Sequence, residues 1–353
     1  MNTTHQFFFK NSKDMSEIAS NSVDLVVTSP PYPMIEMWDS LFCKLNPRIT
    51  KVIEEGDGKN AFHLMHDELN KIWKECTRIL KSGGIACINI GDATRKVKNT
   101  FQLYPNHIII ADFFHKNGFI SLPSILWRKP TNAPNKFMGS GMLPPNAYVT
   151  LEHEYILIFR KGKRKLNLPP KLRRRYNSAY FWEERNKWFS DVWTDFKGTN
   201  QSLNDGLFGA KKQMRERSGA FPLELPFRLI NMYSLYGDTI LDPFWGTGTT
   251  TLAAMVCGRN SIGYEVNSDL GKFFDSRFEN VVVLSKDVNK RRLRDHSNFI
   301  NQQEKVGKEL KHENTHYGFK VTTSQEKELL LYNITKIIVN DNTIKLIHDP
   351  YHL

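Results

Sequence analysis

One stretch in the C-terminal half restricts the fold more than any other part of the chain. Residues 239–244 (TILDPF) have the pattern of a buried strand, residues 246–258 (GTGTTTLAAMVCG) that of a glycine-rich turn opening a small-residue helix, and residues 261–266 (SIGYEV) that of the next strand. A strand, a helix and a strand in succession indicate a parallel pair with the helix on one face. The alternation recurs upstream, so we predict an α/β fold, doubly wound, with a mostly parallel sheet covered on both faces.

The stretch TSPPY, residues 28–32, ends a second apolar strand, VDLVV, at residues 23–27. Its two prolines fix φ and supply no amide hydrogens, so their carbonyl groups face a cavity with few competing donors. A serine hydroxyl, a rigid carbonyl group and an aromatic ring therefore meet at the carboxyl end of a strand, where open α/β sheets bind ligands. A flat ring that carries an NH2 group fits such a site. Ser-Pro-Pro-Tyr by itself is more often a plain turn, and the stretch at residues 241–250 changes that balance.

Hydrophobic periodicity predicts the other elements. Apolar runs predict strands at 5–9, 85–90, 124–127, 155–159, 328–332, 336–339 and 344–347, and three- and four-residue spacing predicts helices at 69–80, 104–116 and 221–236. The strands at 124–127 and 155–159 either continue the parallel alternation or pair antiparallel. Residues 33–59, interrupted by prolines and glycines, are predicted to form a long loop near the site. For the tail from residue 286, packing is the favoured role, and DNA contact and dimerisation are the alternatives. Its last two predicted strands are expected to form a hairpin.

The net charge of +12 favours a polyanionic partner. Basic residues concentrate at residues 160–175, and aromatic residues follow closely. Cationic groups neutralise phosphates and aromatic faces stack on bases, so residues 161–218 are predicted to form a target-recognition module; a solvated charged face is the alternative. The residues predicted to contact DNA are Arg164, Lys165, Arg173, Arg174 and Arg175, and the interleaved aromatic residues are Tyr176, Tyr180, Phe181, Trp182, Trp188, Phe189 and Trp193.

The cysteines and the N-terminus bear on the compartment. The four cysteines, Cys43, Cys76, Cys87 and Cys257, form no CxxC pair, so we predict neither a metal site nor a disulfide framework. The N-terminus lacks a signal-peptide pattern, and no apolar run has the length of a membrane span. A soluble, cytoplasmic protein is expected.

The glycine-rich turn has the features of a nucleotide-binding turn, since Gly246 and Gly248 let backbone amides approach a ligand at the start of a helix. Glu265 ends the following strand, at the spacing expected for a carboxylate that binds ribose hydroxyls. A dinucleotide is disfavoured, because its third glycine would fall at Thr251 and Asp242 would place a negative charge beside a pyrophosphate. These features favour a cofactor with a positive amine.

The chain carries TSPPY first, then an FPxEL helix at residues 221–225, and then DPFWGTGTT. With these motifs it resembles the amino-methylating DNA methyltransferases of restriction–modification systems. Their order in the chain is that of the permuted group called the beta class. The resemblance covers about residues 5–280 and includes the KSGG, ILWRKP and HEYILIFRK segments. It implies a Rossmann-like methyltransferase fold, S-adenosylmethionine as cofactor and double-stranded DNA as partner. The implied parts of the chain are a catalytic half (1–160), an inserted target-recognition module (161–218), a cofactor-binding half (219–285) and a C-terminal extension (286–353).

The resemblance also implies roles for single residues. The adenine-contacting aspartate of the family falls at Asn11, or at Asp14 if the alignment shifts. Ser29 and the carbonyl group of Pro30 would accept hydrogen bonds from the target amine, and Tyr32 would stack on the extruded base. The implied catalytic residues are Ser29, Pro30, Pro31 and Tyr32, and the implied cofactor-binding residues are Asn11, Phe221, Asp242, Pro243, Phe244, Gly246, Gly248, Thr249 and Glu265.

The resemblance also bears on the target base. Within the family, SPPY goes mainly with the N4 amine of cytosine and DPPY with the N6 amine of adenine, so cytosine N4 is preferred and adenine N6 is the alternative. Methylation at carbon 5 of cytosine is disfavoured, because none of the cysteines follows a proline. A non-catalytic nucleic-acid-binding protein and an RNA or protein methyltransferase are further alternatives, against which the intact motifs and their order argue. A cognate restriction endonuclease is the expected functional partner, and the chain is expected to be a monomer or a homodimer.

Overall fold

The computed structural model describes residues 1–129, 141–163, 172–197, 221–340 and 343–352. Within these ranges the strands are, in chain order, β1 (Asn2–Phe8), β2 (Val23–Thr28), β3 (Leu80–Ile90), β4 (Ala93–Val97), β5 (Thr100–Tyr104), β6 (Phe119–Arg128), β7 (His153–Lys161), β8 (Val192–Trp193), β9 (Thr239–Asp242), β10 (Asn260–Tyr264), β11 (His312–Glu313), β12 (Lys320–Val321), β13 (Tyr332–Asn340) and β14 (Thr343–Pro350). The α-helices of the same ranges are α1 (Asp39–Leu45), α2 (Arg48–Glu55), α3 (Gly58–Ile79), α4 (Asn106–Lys116), α5 (Arg173–Asn177), α6 (Trp182–Trp188), α7 (Glu224–Tyr233), α8 (Thr249–Val256), α9 (Gly271–Phe278) and α10 (Val281–Lys305). Among these helices, none combines the length and the apolar character that crossing a membrane requires.

Most of the described strands form one sheet, in the order β13-β14-β1-β10-β9-β2-β3-β7-β6-β8. The five central strands, from β1 to β3, run parallel. β7 joins β3 antiparallel and β6 joins β7 antiparallel, so the antiparallel alternative for residues 124–127 and 155–159 is the one observed. The predicted α/β fold with a mostly parallel sheet is confirmed.

The chain leaves the neighbouring central strands β9 and β2 in opposite directions along the sheet. From β9 it passes through α8 to β10 on one side, and from β2 it passes through α3 to β3 on the other. The carboxyl ends of β9 and β2 therefore flank a topological switch point, where open α/β sheets form their ligand crevices. Thr28 ends β2 and Asp242 ends β9, so both sequence motifs begin at this point.

Alternate residues of the central strands enter two hydrophobic cores, one on each face of the sheet. On β3, Ala86 and Ile88 pack into the core that contains Trp73 of α3, whereas Ile85 and Cys87 pack into the core that contains residues of α7 and α8. Both faces of the sheet are thus covered by helices. A strand buried on both faces has the nearly continuous apolar sequence that β2 and β3 show.

The prediction of a long loop at residues 33–59 is wrong. The segment forms a short 3-10 helix, α1, α2 and the start of α3. Pro47 directly precedes α2, and Gly56 ends it with a left-handed φ of 89°. Proline and glycine at these places mark the two ends of a helix as readily as they mark a loop. Phe42 and Ile49 are buried and attach the helices to the core.

The tail after residue 286 has more regular structure than its charge-dense sequence predicted. The long helix α10 buries one side, which includes Leu284, Val288 and Leu293. The predicted strands at 336–339 and 344–347 lie within β13 and β14, which pair antiparallel, and β14 extends the sheet by pairing with β1. Of the strand predicted at 328–332, only Tyr332 is in a strand.

Candidate active site

A cavity of about 820 Å³ opens at the carboxyl ends of β2 and β9. Its walls come from the segment after β2, the turn after β9, the end of β10 and helix α1. The residues implied by the family resemblance that line this one cavity are Asn11, Ser29, Pro30, Pro31, Tyr32, Phe221, Asp242, Pro243, Phe244, Gly246, Thr249 and Glu265. Two stretches more than 200 residues apart therefore fold into a single site.

Gly248, the remaining residue of that set, shapes the turn and does not line the cavity. Its φ of 74° lies in the left-handed region that favours glycine, and it directly precedes α8. A side chain at this position would collide with the ring of Phe274. Glu265 lies across the same turn: its Oε2 accepts a hydrogen bond of 2.9 Å from the backbone N–H of Gly246, and its Oε1 accepts one of 2.9 Å from the backbone N–H of Asn267.

Asp242 joins the two motifs beneath the cavity. Its Oδ1 accepts hydrogen bonds from Thr28 Oγ1 at 2.6 Å and from the backbone N–H of Phe244 at 3.1 Å, and its Oδ2 accepts one from Thr250 Oγ1 at 2.7 Å. Burial raises the pKa of the Asp242 carboxyl group to about 6, although these hydrogen bonds act in the opposite direction. The end of β2, the turn after β9 and the start of α8 therefore share one carboxylate.

A second polar network begins at Ser29 in the wall of the cavity. Ser29 Oγ donates to Tyr32 Oη at 3.1 Å, and Tyr32 Oη donates to Glu154 Oε2 at 2.9 Å. Asn89 Nδ2 donates to the same Glu154 oxygen at 2.7 Å, and Lys129 Nζ donates to Glu154 Oε1 at 2.9 Å. Burial and the Glu154 carboxylate raise the pKa of Tyr32 well above its usual range, so this phenol keeps its proton.

Several residues of the site escaped sequence reasoning. Ser12 lines the cavity and donates to the carbonyl group of Pro243 at 2.8 Å, while Lys129 and Glu154 line it from the segment after β6 and from β7. Asn89 lies in the IACINI strand, and Glu154 lies in the HEYILIFRK segment. Both segments carry a strand pattern, but such a pattern alone does not tell which polar residue points toward a neighbouring strand's site.

The placement of Asn11 and Asp14 bears on the alternative alignment. Asn11 lines the cavity, and its Oδ1 accepts a hydrogen bond from the backbone N–H of Lys13 at 2.9 Å. Asp14 is exposed and lies 3.6 Å from the Nζ of Lys10, outside the cavity wall. The geometry therefore favours Asn11 as the polar group of this wall.

The arginines predicted to contact DNA lie away from the cavity. Residues 173–175 begin α5 with exposed side chains, and Arg174 Nη2 pairs at 2.9 Å with Asp238, the residue before β9. They therefore lie at the amino ends of the parallel strands, opposite the cavity. Arg164 and Lys165 lie outside the described residues, and a DNA contact stays a prediction for the whole set.

Part of the aromatic cluster predicted to stack on bases is core, and for these residues the prediction is wrong. Phe181, Trp188 and Trp193 are at most 3% exposed and pack in hydrophobic clusters with residues of α7 or α10. The segment is also attached by a two-contact ion pair, in which Arg292 of α10 reaches Glu184 at 2.6 and 2.8 Å. Sequence proximity to basic residues does not distinguish an exposed ring from a buried one.

Solved structures with this architecture place the fold in a class, the α/β DNA methyltransferases. TTHA0409, a proposed DNA modification methylase of Thermus thermophilus solved in complex with S-adenosyl-L-methionine, matches with a TM-score of 0.60 and 29% identity over 79% of this chain and 94% of that chain. The cytosine-N4-specific PvuII DNA methyltransferase shares the fold, with a TM-score of 0.51 and 17% identity over 80% of this chain and 92% of that chain.

The chain belongs to the DNA methylase family of N6 and N4 methyltransferases, which matches residues 23–274. The Type II methyltransferase M.MthZI of Methanothermobacter thermautotrophicus is 54% identical over 334 residues, which are 94% of this chain and 91% of that protein. The Type II methyltransferase M.MjaI of Methanocaldococcus jannaschii is 51% identical over 286 residues, 78% of this chain and 91% of that protein. The family resemblance drawn from TSPPY and DPFWGTGTT is confirmed.

Proposed function

We propose that this protein is a site-specific methyltransferase that transfers a methyl group from S-adenosylmethionine to the N4 amine of cytosine in double-stranded DNA. The observation that carries the proposal is the single cavity onto which Ser29 and Asp242 both open. The similarity to Type II methyltransferases supports a role in protecting DNA from a cognate restriction endonuclease.

The cavity suits S-adenosylmethionine in size and chemistry. Its volume of about 820 Å³ lies within the usual range for small-molecule sites. Phe221 and Phe244 offer aromatic walls, Asn11 a polar group for the adenine, and Asp242 a negative charge for the methionine amine. Each oxygen of Glu265 accepts one backbone N–H and keeps a lone pair for a ribose hydroxyl. When bound, the cofactor supplies an electrophilic methyl group on a sulfonium.

The contribution of the protein is orientation of the acceptor. An exocyclic base amine is a weak nucleophile, because its lone pair is delocalised into the ring. Ser29 Oγ and the carbonyl group of Pro30 accept its two N–H hydrogens, and the lone pair is thereby directed toward the methyl group. Pro31 keeps this turn rigid. Tyr32 stacks on the base, and stacking of about 1–3 kcal/mol offsets much of the few kcal/mol needed to extrude it.

The choice of cytosine over adenine rests on Ser29, since SPPY goes mainly with cytosine N4 in this family. Duplex DNA incubated with the protein and radiolabelled S-adenosylmethionine, then digested to nucleosides and analysed by mass spectrometry, tests activity and base together. N4-methylcytosine is expected. Detection of N6-methyladenine would instead assign adenine as the target base. Absence of methyl transfer with every duplex would favour a non-catalytic DNA-binding protein.

Contact between the basic helix α5 and DNA phosphates is a separable part of the proposal. Arg173 and Arg175 are exposed and remote from the cavity, whereas Arg174 already pairs with Asp238. Replacing Arg173 and Arg175 with Glu should weaken DNA binding and flatten its dependence on salt, while kcat at saturating DNA is retained. An unchanged salt slope would place the DNA surface elsewhere.

A further inference from the structure

The hydrogen-bond network that begins at Ser29 leads through Tyr32 to Glu154. Glu154 lies near the start of β7 and is 8% exposed. Its Oε2 receives hydrogen bonds from Tyr32 Oη and Asn89 Nδ2, and its Oε1 receives one from Lys129 Nζ. A carboxylate accepts hydrogen bonds and donates none, so every group that touches it must direct a hydrogen toward it.

This requirement sets the direction of each hydrogen bond back to the catalytic turn. Tyr32 has one hydroxyl hydrogen, and it is used in the 2.9 Å hydrogen bond that Tyr32 Oη donates to Glu154 Oε2. The Tyr32 oxygen is left as an acceptor, and it receives Asn89 Nδ2 at 2.9 Å and Ser29 Oγ at 3.1 Å. Ser29 also has a single hydroxyl hydrogen, which is therefore committed to Tyr32.

The side-chain amide of Asn89 strengthens the same direction. Its Nδ2 donates to Glu154 at 2.7 Å and to Tyr32 at 2.9 Å, and it also lies 3.5 Å from Ser29 Oγ, on which it makes a longer contact. Its Oδ1 is buried without a hydrogen-bond partner among the described residues. If the amide were turned over, Oδ1 would face Glu154 Oε2, one acceptor against another, so the carboxylate keeps the NH2 group of Asn89 directed toward itself and Tyr32. An asparagine held in this way leaves the Tyr32 oxygen no alternative to accepting.

We propose that Glu154 is a positioning residue for methyl transfer: it aligns the hydroxyls of Tyr32 and Ser29 so that Ser29 Oγ presents a lone pair, rather than its hydrogen, to the target amine. The inference rests on the proposed function and adds a residue to it. A serine whose hydrogen pointed into the cavity would oppose an N–H of the base with an O–H. With the hydrogen withdrawn, Ser29 acts as an acceptor without any change in its own charge.

A purely structural ion pair would not need this arrangement. Lys129 contacts only Oε1 of Glu154, and its side chain is 31% exposed, so that pair alone leaves Oε2 free. Oε2 is the oxygen that Tyr32 and Asn89 approach. A purely structural role therefore involves Oε1, and a positioning role involves Oε2. Only the positioning role predicts that the effects of substituting Glu154 and Tyr32 on the rate depend on each other.

The test is a double-mutant cycle between Glu154→Gln and Tyr32→Phe, measured as single-turnover methyl transfer to duplex DNA. Glutamine keeps the shape but carries an NH2 group that can donate to Tyr32, and phenylalanine keeps the ring but removes the hydroxyl. Each single variant should lose roughly 10- to 100-fold in rate, while the Kd for S-adenosylmethionine changes less than about threefold. In the Tyr32→Phe background, Glu154→Gln should lower the single-turnover rate by less than a further factor of about three.

Glu152→Gln is the matched control, because Glu152 lies two residues away, its side chain is 42% exposed, and in the described residues that side chain pairs only with Arg128, at 3.3 Å. It should transfer methyl groups at the wild-type rate. A Glu154→Gln rate within threefold of wild type, or losses that multiply in the double variant, would overturn the positioning role. If Glu154→Gln fails to fold, full activity of Tyr32→Phe would do the same. An inactive wild-type protein would instead refute the proposed function, so the two failures are distinguishable.

Discussion

Thr28 Oγ1 lies 2.6 Å from Asp242 Oδ1, which joins the last residue of β2 to the last residue of β9 although 214 positions separate them in the sequence. Both residues are at most 2% exposed, and a hydrogen bond to a buried charged group contributes about 1.5–3 kcal/mol. The turn that we propose binds the target amine begins directly after Thr28, and the turn that we propose binds the cofactor begins directly after Asp242. This contact therefore links the two turns at the carboxyl ends of two strands that are already paired in the sheet.

The first prediction concerns this contact. Thr28→Val removes the hydroxyl and leaves one oxygen of Asp242 with a lost partner, so the free energy of unfolding should fall by about 1–3 kcal/mol. The affinity for S-adenosylmethionine should fall as well, because the Asp242 carboxylate loses its orientation. Urea denaturation and calorimetric titration measure the two effects. Thr28→Ser, which retains the hydroxyl, should lie close to wild type in both, and a stable Thr28→Val protein would show that the contact contributes little.

The second prediction separates catalysis from binding at Ser29. Ser29→Ala should bind S-adenosylmethionine with nearly wild-type affinity, since Ser29 lies in the turn proposed to bind the target amine and not in the turn proposed to bind the cofactor. Methyl transfer should fall by roughly 100-fold, because one acceptor for the target amine is lost. Filter binding of radiolabelled cofactor and transfer to duplex DNA provide the two measurements. Full transfer activity would remove Ser29 from the catalytic residues.

The third prediction is a pH dependence of cofactor binding. Because burial raises the pKa of Asp242 to about 6, the carboxyl group takes up a proton as the pH falls through that value. The protonated form has no charge to stabilise a methionine ammonium group, so affinity should be constant above about pH 7 and fall by up to about tenfold per pH unit below pH 6. Titration calorimetry from pH 5 to pH 8 measures this slope.

Two variants define the origin of that slope. Asp242→Asn should bind weakly and without the pH dependence, whereas Asp112→Asn, at an exposed position on α4, should retain it. Wild-type affinity that stays constant from pH 5 to pH 8 would contradict the assignment of Asp242 to the methionine amine.

The fourth prediction concerns the stability of the fold in acid, which depends on two buried histidines where β1 pairs with β14. Burial lowers the pKa of His5 to about 3 and that of His348 to about 4, and both rings bond to the hydroxyl of Thr3, at 2.9 and 2.8 Å. The unfolded chain binds protons at these rings below about pH 6.5, and the folded protein does not. Stability is therefore fully present above pH 6.5 and is lost as the pH falls toward 4.

Urea denaturation between pH 7.5 and pH 5 measures this loss. His5→Gln should reduce the slope of unfolding free energy against pH by up to about 1.4 kcal/mol per pH unit, the value for one proton. His115→Gln, at an exposed position, should leave the slope as in wild type. An unaltered slope in His5→Gln would assign the acid sensitivity to other groups.

Local sequence was sufficient for the central strands and for both motifs. The runs VDLVV and IACINI, and the strand, turn and helix around Gly248, depend on neighbours along the chain, and all form as predicted. Helix ends were harder to predict. Pro47 and Gly56 pointed to a loop because proline and glycine occur both in loops and at helix ends. In the structure they lie at the two ends of α2, and the neighbouring α1 buries Phe42.

The sequence by itself determined which chemical groups stand at the ends of β2 and β9, because residue order along a strand needs no knowledge of the rest of the chain. Only the tertiary structure decided which groups meet. It joined Glu154 and Asn89 to Ser29 in one hydrogen-bond network, buried Trp188 and Trp193, and placed Arg174 at the amino end of β9, opposite the cavity. Strand order and helix docking bring residues together from distant positions, and neither leaves a periodic mark in the sequence.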